Sequence, residues 1–195
     1  MSIKIGIAGP VGSGKTSIIE KLTNMLKDEY ILGIVTNDIY TTEDANYLKN
    51  KLDLNPEQII GVETGGCPHT AIRDDISMNQ KAVEELEEKF NPEIIFVESG
   101  GDNLSATFSY ELVDYYLYVI DVAQGGDIPR KKGAGLLFSD LLVINKTDLC
   151  PYVNVELEQM KEDVKNNRKN KPSLFLTNKD EESFKKLKEW ILALL

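Results

Sequence analysis

Seven short apolar runs recur along the chain, at Ile3–Ala8, Ile31–Thr36, Gln58–Val62, Ile94–Glu98, Tyr115–Val122, Leu141–Asn145 and Leu174–Thr177. Each has the length of a strand, and runs such as Tyr115–Val122 are almost continuously apolar, the pattern of strands covered on both faces. Between them the apolar spacing lengthens to that of a helix, at Thr16–Lys27, Asn79–Phe90, Glu156–Arg168 and Glu181–Leu195. In the last of these Phe184, Leu187, Trp190, Ile191 and Leu194 share one face, a stripe for core packing. Alternation of this kind predicts an α/β fold with a mostly parallel central sheet and helices on both faces, in one domain spanning residues 1–195. Ser99–Glu111 and Gln124–Ser139 follow neither period; loops of that length in a compact domain are usually functional or mobile.

The first turn after the first run is Gly9-Pro10-Val11-Gly12-Ser13-Gly14-Lys15-Thr16, a G-x-x-x-x-G-K-[ST] phosphate loop between a predicted strand and a predicted helix. Its glycines let successive backbone N–H groups turn inward on phosphate oxygens, and the helix N-terminus adds partial positive charge. Gly9, Gly12, Ser13, Gly14, Lys15, Thr16 and Ser17 are therefore candidate nucleotide-binding residues. Lys15 is placed to reach the β and γ phosphates, and the Thr16 hydroxyl to hold Mg²⁺. The pattern implies a nucleoside triphosphate site in a P-loop NTPase domain.

The base is read from Asn145-Lys146-Thr147-Asp148, which ends the run Leu141–Ile144. A carboxylate there can accept from both N1–H and the 2-amino group of guanine, and a site built for two donors rejects adenine. Asn145, Lys146 and Asp148 thus point to GTP, and Leu176-Thr177-Asn178 ends the next strand where it could close over the base. Asp38, Glu63 and Glu98 each stand at a predicted strand end, the edge at which open α/β sheets bind ligands. Lys15, Asp38 and Glu98 are the candidate catalytic residues, with Gly100 and Gly101 placed to sense a γ-phosphate.

Composition narrows the partners. The net charge of −10 offers no basic stripe for nucleic acid. There is no apolar run of membrane-spanning length, and Met1-Ser2-Ile3-Lys4 leads directly into the first strand, so neither a span nor a signal peptide is expected. Two cysteines, Cys67 and Cys150, form no disulfide framework and suit a reducing cytoplasm. Arg130-Lys131-Lys132 is a tight basic cluster that fits a partner, the nucleotide or a solvated loop equally well.

Glu63-Thr64-Gly65-Gly66-Cys67-Pro68-His69 holds the chain's only histidine. Thiolate and imidazole are the donors that Ni²⁺ and Zn²⁺ prefer, and two residues apart around a proline they can converge on one ion. Two ligands are too few for such an ion. The simplest completion is a second copy of the chain, giving a Cys₂His₂ set across a twofold axis. Glu63 lies four residues before Cys67, so the magnesium shell and the transition-metal loop can move together.

These blocks, with Thr36-Asn37-Asp38-Ile39-Tyr40 and Glu98-Ser99-Gly100-Gly101-Asp102-Asn103-Leu104, resemble in order the UreG family of urease accessory GTPases, of the SIMIBI class. The resemblance covers nearly the whole chain, and its Cys-Pro-His block is highly specific. It implies a SIMIBI-type G domain, a homodimer when loaded with GTP, Mg²⁺ and Ni²⁺, and partnership with other urease accessory proteins and the urease apoenzyme. It implies Mg²⁺ contacts from Thr16, Asp38 and Glu63, and nickel contacts from Cys67 and His69. The chain lacks the histidine-rich extension of some members, which favours single-site transfer over storage. No water-positioning glutamine or arginine finger is identifiable, so turnover by the protein alone is expected on the order of 10⁻³ s⁻¹ or below. Two rival readings stay open: a hydrogenase-type nickel maturation GTPase, which should carry further Cys or His segments, and a nucleotide-dependent scaffold in which Cys67 and His69 are structural. An ATP-dependent kinase or ligase conflicts with Asn145–Asp148.

Overall fold

The computed structural model describes residues 2–101, 104–169, 171–177 and 179–195. In chain order the strands are β1 (Ile3–Ala8), β2 (Leu32–Asp38), β3 (Ile59–Glu63), β4 (Ile94–Glu98), β5 (Tyr115–Asp121), β6 (Leu141–Asn145) and β7 (Ser173–Phe175). The helices are α1 (Lys15–Leu26), α2 (Glu43–Lys51), α3 (Pro68–Arg73), α4 (Ser77–Phe90), α5 (Ile128–Lys131), α6 (Ala134–Phe138), α7 (Cys150–Val153), α8 (Leu157–Arg168) and α9 (Glu181–Leu192). The strands form one seven-stranded sheet in the order β3-β2-β4-β1-β5-β6-β7. Every pairing is parallel. The α/β expectation is met, and among the described residues no helix is long and apolar enough to cross a membrane.

Burial on both faces explains why the strands read as unbroken apolar runs. Ile18, Ile19, Leu22 and Leu26 of α1 pack with Leu48 of α2 and Phe184, Leu187 and Ile191 of α9 on one face. Val83 and Leu86 of α4, Leu136 of α6 and Met160 and Val164 of α8 cover the other. Trp190 and Leu194 are only partly buried against the first of these layers, and α9 stops at Leu192, short of the expected Leu195.

Element edges move for local reasons. The second strand starts at Leu32 and runs on to Asp38, because Asp38 pairs in register with Glu63. The seventh is limited to Ser173–Phe175, since the Leu176 carbonyl turns away to accept the Thr147 N–H at 3.0 Å. The aperiodic Gln124–Ser139 segment contains α5 and α6, each too short to show a period. There the basic cluster is partly absorbed into structure: Arg130 pairs with the largely buried Asp163 at 2.7 Å, and Lys131 with Asp127 at 3.1 Å.

The chain runs from β1 outward to β2 and β3, then returns to β4 and crosses to β5 on the far side of β1. This reversal opens a crevice at the carboxyl ends of β1, β4 and β5, and the phosphate loop follows β1 there.

Arg168 closes the α6–α8 layer. It is 3% exposed and donates to the carbonyls of Leu136, Ser139 and Pro172 and to the Ser139 hydroxyl. Burial lowers its guanidinium to about 10. Arg168→Ala would strand these buried acceptors, so denaturant unfolding should show a loss of about 3 kcal/mol. Unchanged stability would contradict this bracing role.

Candidate functional site

Helix α1 begins without a side-chain cap and without an acidic residue in its first turn. Its leading N–H groups therefore lack an intrahelical partner where the phosphate loop approaches, the arrangement that favours an anion. Gly14 enters the helix at φ 95°, and a Cβ there would stand 2.5 Å from Asn145 Nδ2. Only glycine meets both demands.

A cleft of about 430 Å³ opens over this point, lined by Val11, Gly12, Gly14, Lys15, Thr16, Ser17, Asp38, Asp44, Gly100, Gly101 and Lys146. Lys15 is buried and its Nζ donates to the Pro10 carbonyl at 3.4 Å, a long contact easily exchanged for phosphate. Gly101, at φ 71°, lies so close that an added Cβ would stand 3.3 Å from Lys15 Nζ.

The Asn145–Asp148 segment is braced to the phosphate loop. Asn145 Nδ2 donates to the Ser13 carbonyl at 3.0 Å, while Asn145 Oδ1 accepts the Lys146 N–H at 2.8 Å. Lys146 Nζ donates to the Gly12 carbonyl and pairs with the buried Asp121 at 3.2 Å. Asp148 accepts the Thr177 hydroxyl at 2.8 Å and pairs with Lys179 at 3.2 Å. The Thr177 hydroxyl, with Lys179 beyond it, holds the Asp148 carboxyl below its ordinary value. An ionised acceptor is what two guanine donors require. Thr177 thus acts on Asp148; Asn178, Asp102 and Asn103 lie outside the described residues.

Glu98 sits at the end of β4, fully buried. Its Oε1 accepts the Thr16 hydroxyl at 2.7 Å, and among the described residues its Oε2 has no hydrogen-bond partner. Burial raises its carboxyl to about 7, against the opposing pull of Lys15. Asp38 faces the cleft with its oxygens engaged by the Ile39 N–H at 2.7 Å and by the Thr41 hydroxyl. Asp44, which the sequence pattern did not single out, enters the cleft from the first turn of α2. The residues present fit Mg²⁺ brought in by phosphate: an orphaned buried carboxylate oxygen beside a threonine hydroxyl, with Asp38 and Asp44 lining the same cleft but not gathered with Glu98 into a ready-made metal site.

Glu63 is placed differently. It ends the edge strand, is exposed, and lines a separate groove with Thr42, Met78 and Lys81 rather than the phosphate cleft. Its neighbours nevertheless tie the two regions together. Thr64 N–H donates to the Asp38 carbonyl at 2.8 Å and Gly65 N–H to the Ile39 carbonyl at 3.0 Å.

Just beyond, Cys67 Sγ lies 3.5 Å from His69 Nδ1, with the thiol exposed and the ring half-buried. The hydrogen bond with His69 lowers the Cys67 thiol, whereas burial raises Cys150. Among the described residues no group of three or more His, Cys, Asp or Glu side chains could hold a metal ion. Among the described residues the Cys67–His69 pair offers two candidate donors, with no third of these types beside them.

The Glu98 carboxyl gives a pH dependence. A carboxyl raised from 4.5 to about 7 on folding binds more protons in the native state between those values, so stability falls as pH rises through that window. Denaturant unfolding of the nucleotide-free protein should lose about 3 kcal/mol from this group across that range. In Glu98→Gln that part of the slope should vanish; an identical slope would assign it elsewhere.

The family model described as CobW/HypB/UreG, nucleotide-binding domain, matches residues 3–175. Urease accessory protein UreG of Aliarcobacter butzleri (strain RM4018) is 77% identical over 195 residues, 100% of both chains. UreG of Corynebacterium glutamicum (strain R) is 56% identical over 97% of this chain and 93% of its own. Among solved structures, hydrogenase maturation factor HypB from Archaeoglobus fulgidus superposes with a TM-score of 0.79 at 22% identity, covering 99% of this chain and 90% of its own. HypB from Helicobacter pylori, crystallised in complex with nickel, gives 0.81 at 24% identity over 98% and 86%. Those two identities speak for the fold alone, but the sequence relatives and the domain match speak for descent: the chain belongs to the CobW/HypB/UreG family of nucleotide-binding proteins, in its UreG urease accessory branch.

Proposed function

We propose that the protein is a GTP-dependent nickel chaperone for urease assembly, working as a homodimer in the cytoplasm as one SIMIBI-type G domain. The observation that carries this reading is the Cys67–His69 pair, 3.5 Å apart, on a loop hydrogen-bonded to the Asp38 end of the nucleotide cleft. The urease accessory names of its relatives and the nickel complex of a protein of like fold agree with it.

GTP is the substrate. The Asp148 carboxylate selects guanine, the bare N-terminus of α1 and the phosphate loop hold the phosphates, and Lys15 offsets charge on the γ-phosphate. Thr16, Glu98, Asp38 and Asp44 would hold Mg²⁺, which when bound neutralises charge building on the phosphate oxygens. The Thr16 hydroxyl can offer a lone pair to the ion while still donating to Glu98 Oε1, whereas Asp38 must exchange bonds to its own loop. Among the described residues no arginine or glutamine lines the cleft, which supports slow hydrolysis awaiting a partner.

Nickel is cargo rather than a resident cofactor. Two copies facing each other through their Cys67–His69 loops would supply two thiolates and two imidazoles, and opening that pair halves the donor set. Val11, 76% exposed beside the cleft, and Tyr40, 79% exposed two residues after Asp38, are large apolar side chains suited to cover by the second copy. Zn²⁺ fits the same donors and would compete.

Mass measurement during size-exclusion chromatography tests this. GTP·Mg²⁺ with Ni²⁺ should double the mass, and Cys67→Ala or His69→Ala should leave a monomer that still binds GTP. A monomer under full loading, or a dimer indifferent to both substitutions, would refute the reading.

A further inference from the structure

Two asparagines buried under the cleft make a reciprocal amide pair. Asn37 Nδ2 donates to Asn79 Oδ1 at 2.8 Å, and Asn79 Nδ2 donates back to Asn37 Oδ1 at 2.8 Å. Each amide has one further bond, outward in opposite directions. Asn37 Nδ2 also donates to the Glu98 carbonyl at 2.9 Å, and Asn79 Nδ2 to the Ala71 carbonyl at 2.9 Å. Asn37 is 1% exposed and Asn79 fully buried, so no water competes for these groups.

The ends of this chain of bonds are what matter. Glu98 is the acid that accepts the Thr16 hydroxyl at the phosphate loop. Ala71 belongs to α3, the six-residue helix whose first residue is Pro68 and second is His69, directly after Cys67. A helix that short has no stability of its own and takes its position from outside partners. At its C-terminal end the N–H groups of Asp74 and Asp75 both go to the Thr70 carbonyl, leaving Asn79 as the hydrogen-bond partner recorded for the Ala71 carbonyl. At its other end Pro68 packs against Gly100, where an added Cβ would stand 2.7 Å from the Pro68 Cβ. Ser109 N–H holds the Ile72 carbonyl at 2.9 Å.

The geometry points to Asn79 as a positioning residue that passes the state of the nucleotide cleft to the metal pair, through Asn37 and the Glu98 backbone on one side and α3 on the other. When a nucleotide-bound cation engages the unpartnered Oε2 of Glu98 beside Thr16, the end of β4 shifts. The two amides, each with its donors and its carbonyl oxygen committed, move with it rather than letting a buried bond break at a cost of about 1–3 kcal/mol. The Ala71 carbonyl follows, and α3 turns His69 relative to Cys67. Gly100 against Pro68 gives the same displacement a second, steric contact.

This inference rests on the nickel reading above, and the experiment separates the two. Ni²⁺ is titrated into the full chain with and without GTP·Mg²⁺, following the thiolate-to-nickel charge-transfer band, and the ratio of the two affinities is taken. Wild type should gain about tenfold or more with GTP·Mg²⁺. Asn79→Ala should bring the ratio to within about twofold of one, while GTP affinity without metal changes by less than about twofold. Asn79→Ser, uncharged and too short to reach both Asn37 and the Ala71 carbonyl, should do the same and decides the matter should the alanine variant fail to fold. A purely structural Asn79 would lower the Tm and leave the ratio intact. A wild-type ratio preserved in a folded variant overturns the inference; a wild-type ratio of one overturns the nickel reading and this inference with it.

Discussion

A fully buried carboxylate with one satisfied oxygen is an expensive thing to place in a protein core, and Glu98 occupies the point on which the whole site turns. Its side chain meets the phosphate loop at Thr16, and its carbonyl meets the buried amides of Asn37. Removing water from around it raises its carboxyl and leaves Oε2 wanting a cation or a donor. The parallel sheet makes this possible: β4 lies between β1 and β2, so one strand end touches both the phosphate loop and the strand leading to Asp38. A more solvated acid there could bind magnesium, but it would not be locked to the neighbouring strands.

The second centre is incomplete by design of the chain. One histidine and one exposed cysteine stand 3.5 Å apart, and no third His, Cys, Asp or Glu joins them among the described residues, which on the proposed reading makes them half of a site. An ion that prefers four donors is held firmly only when something else supplies the rest. A tight permanent site would serve storage, whereas a half-site completed by assembly serves delivery. Hydrogen bonds from Thr64 and Gly65 to the Asp38 and Ile39 carbonyls tie the segment before Cys67 to the end of β2.

Much of this was legible in the sequence because it depends on local pattern. Continuous apolar runs marked strands buried on both faces, and the phosphate loop announced itself through glycines that turn where a Cβ would collide, as Gly14 does on Asn145. The segment Asn145–Asp148 stood out in the sequence as a candidate for reading a base, and the structure sets it at the end of β6 beside the phosphate loop. Its brace from Asn145 to the Ser13 carbonyl was not legible there, since that bond joins residues 132 positions apart. Asp44 went unread because it stands in the first turn of α2, and α2 and α3 are too short to carry a clear period. Asn79 read as the start of an amphipathic helix; only its burial against Asn37, 42 positions away, gives it meaning. Glu63 drew attention for standing at a strand end, but at an edge strand that end opens onto a neighbouring groove.

The central claim is that one ion joins the thiolates and imidazoles of two chains only when the triphosphate is in place. X-ray absorption of nickel bound to the GTP·Mg²⁺ form reads this directly. The account predicts a first shell of two sulfurs and two imidazole nitrogens per nickel, reverting to mixed oxygen coordination when GDP replaces GTP. A shell with one sulfur, or one indifferent to the nucleotide, would contradict it.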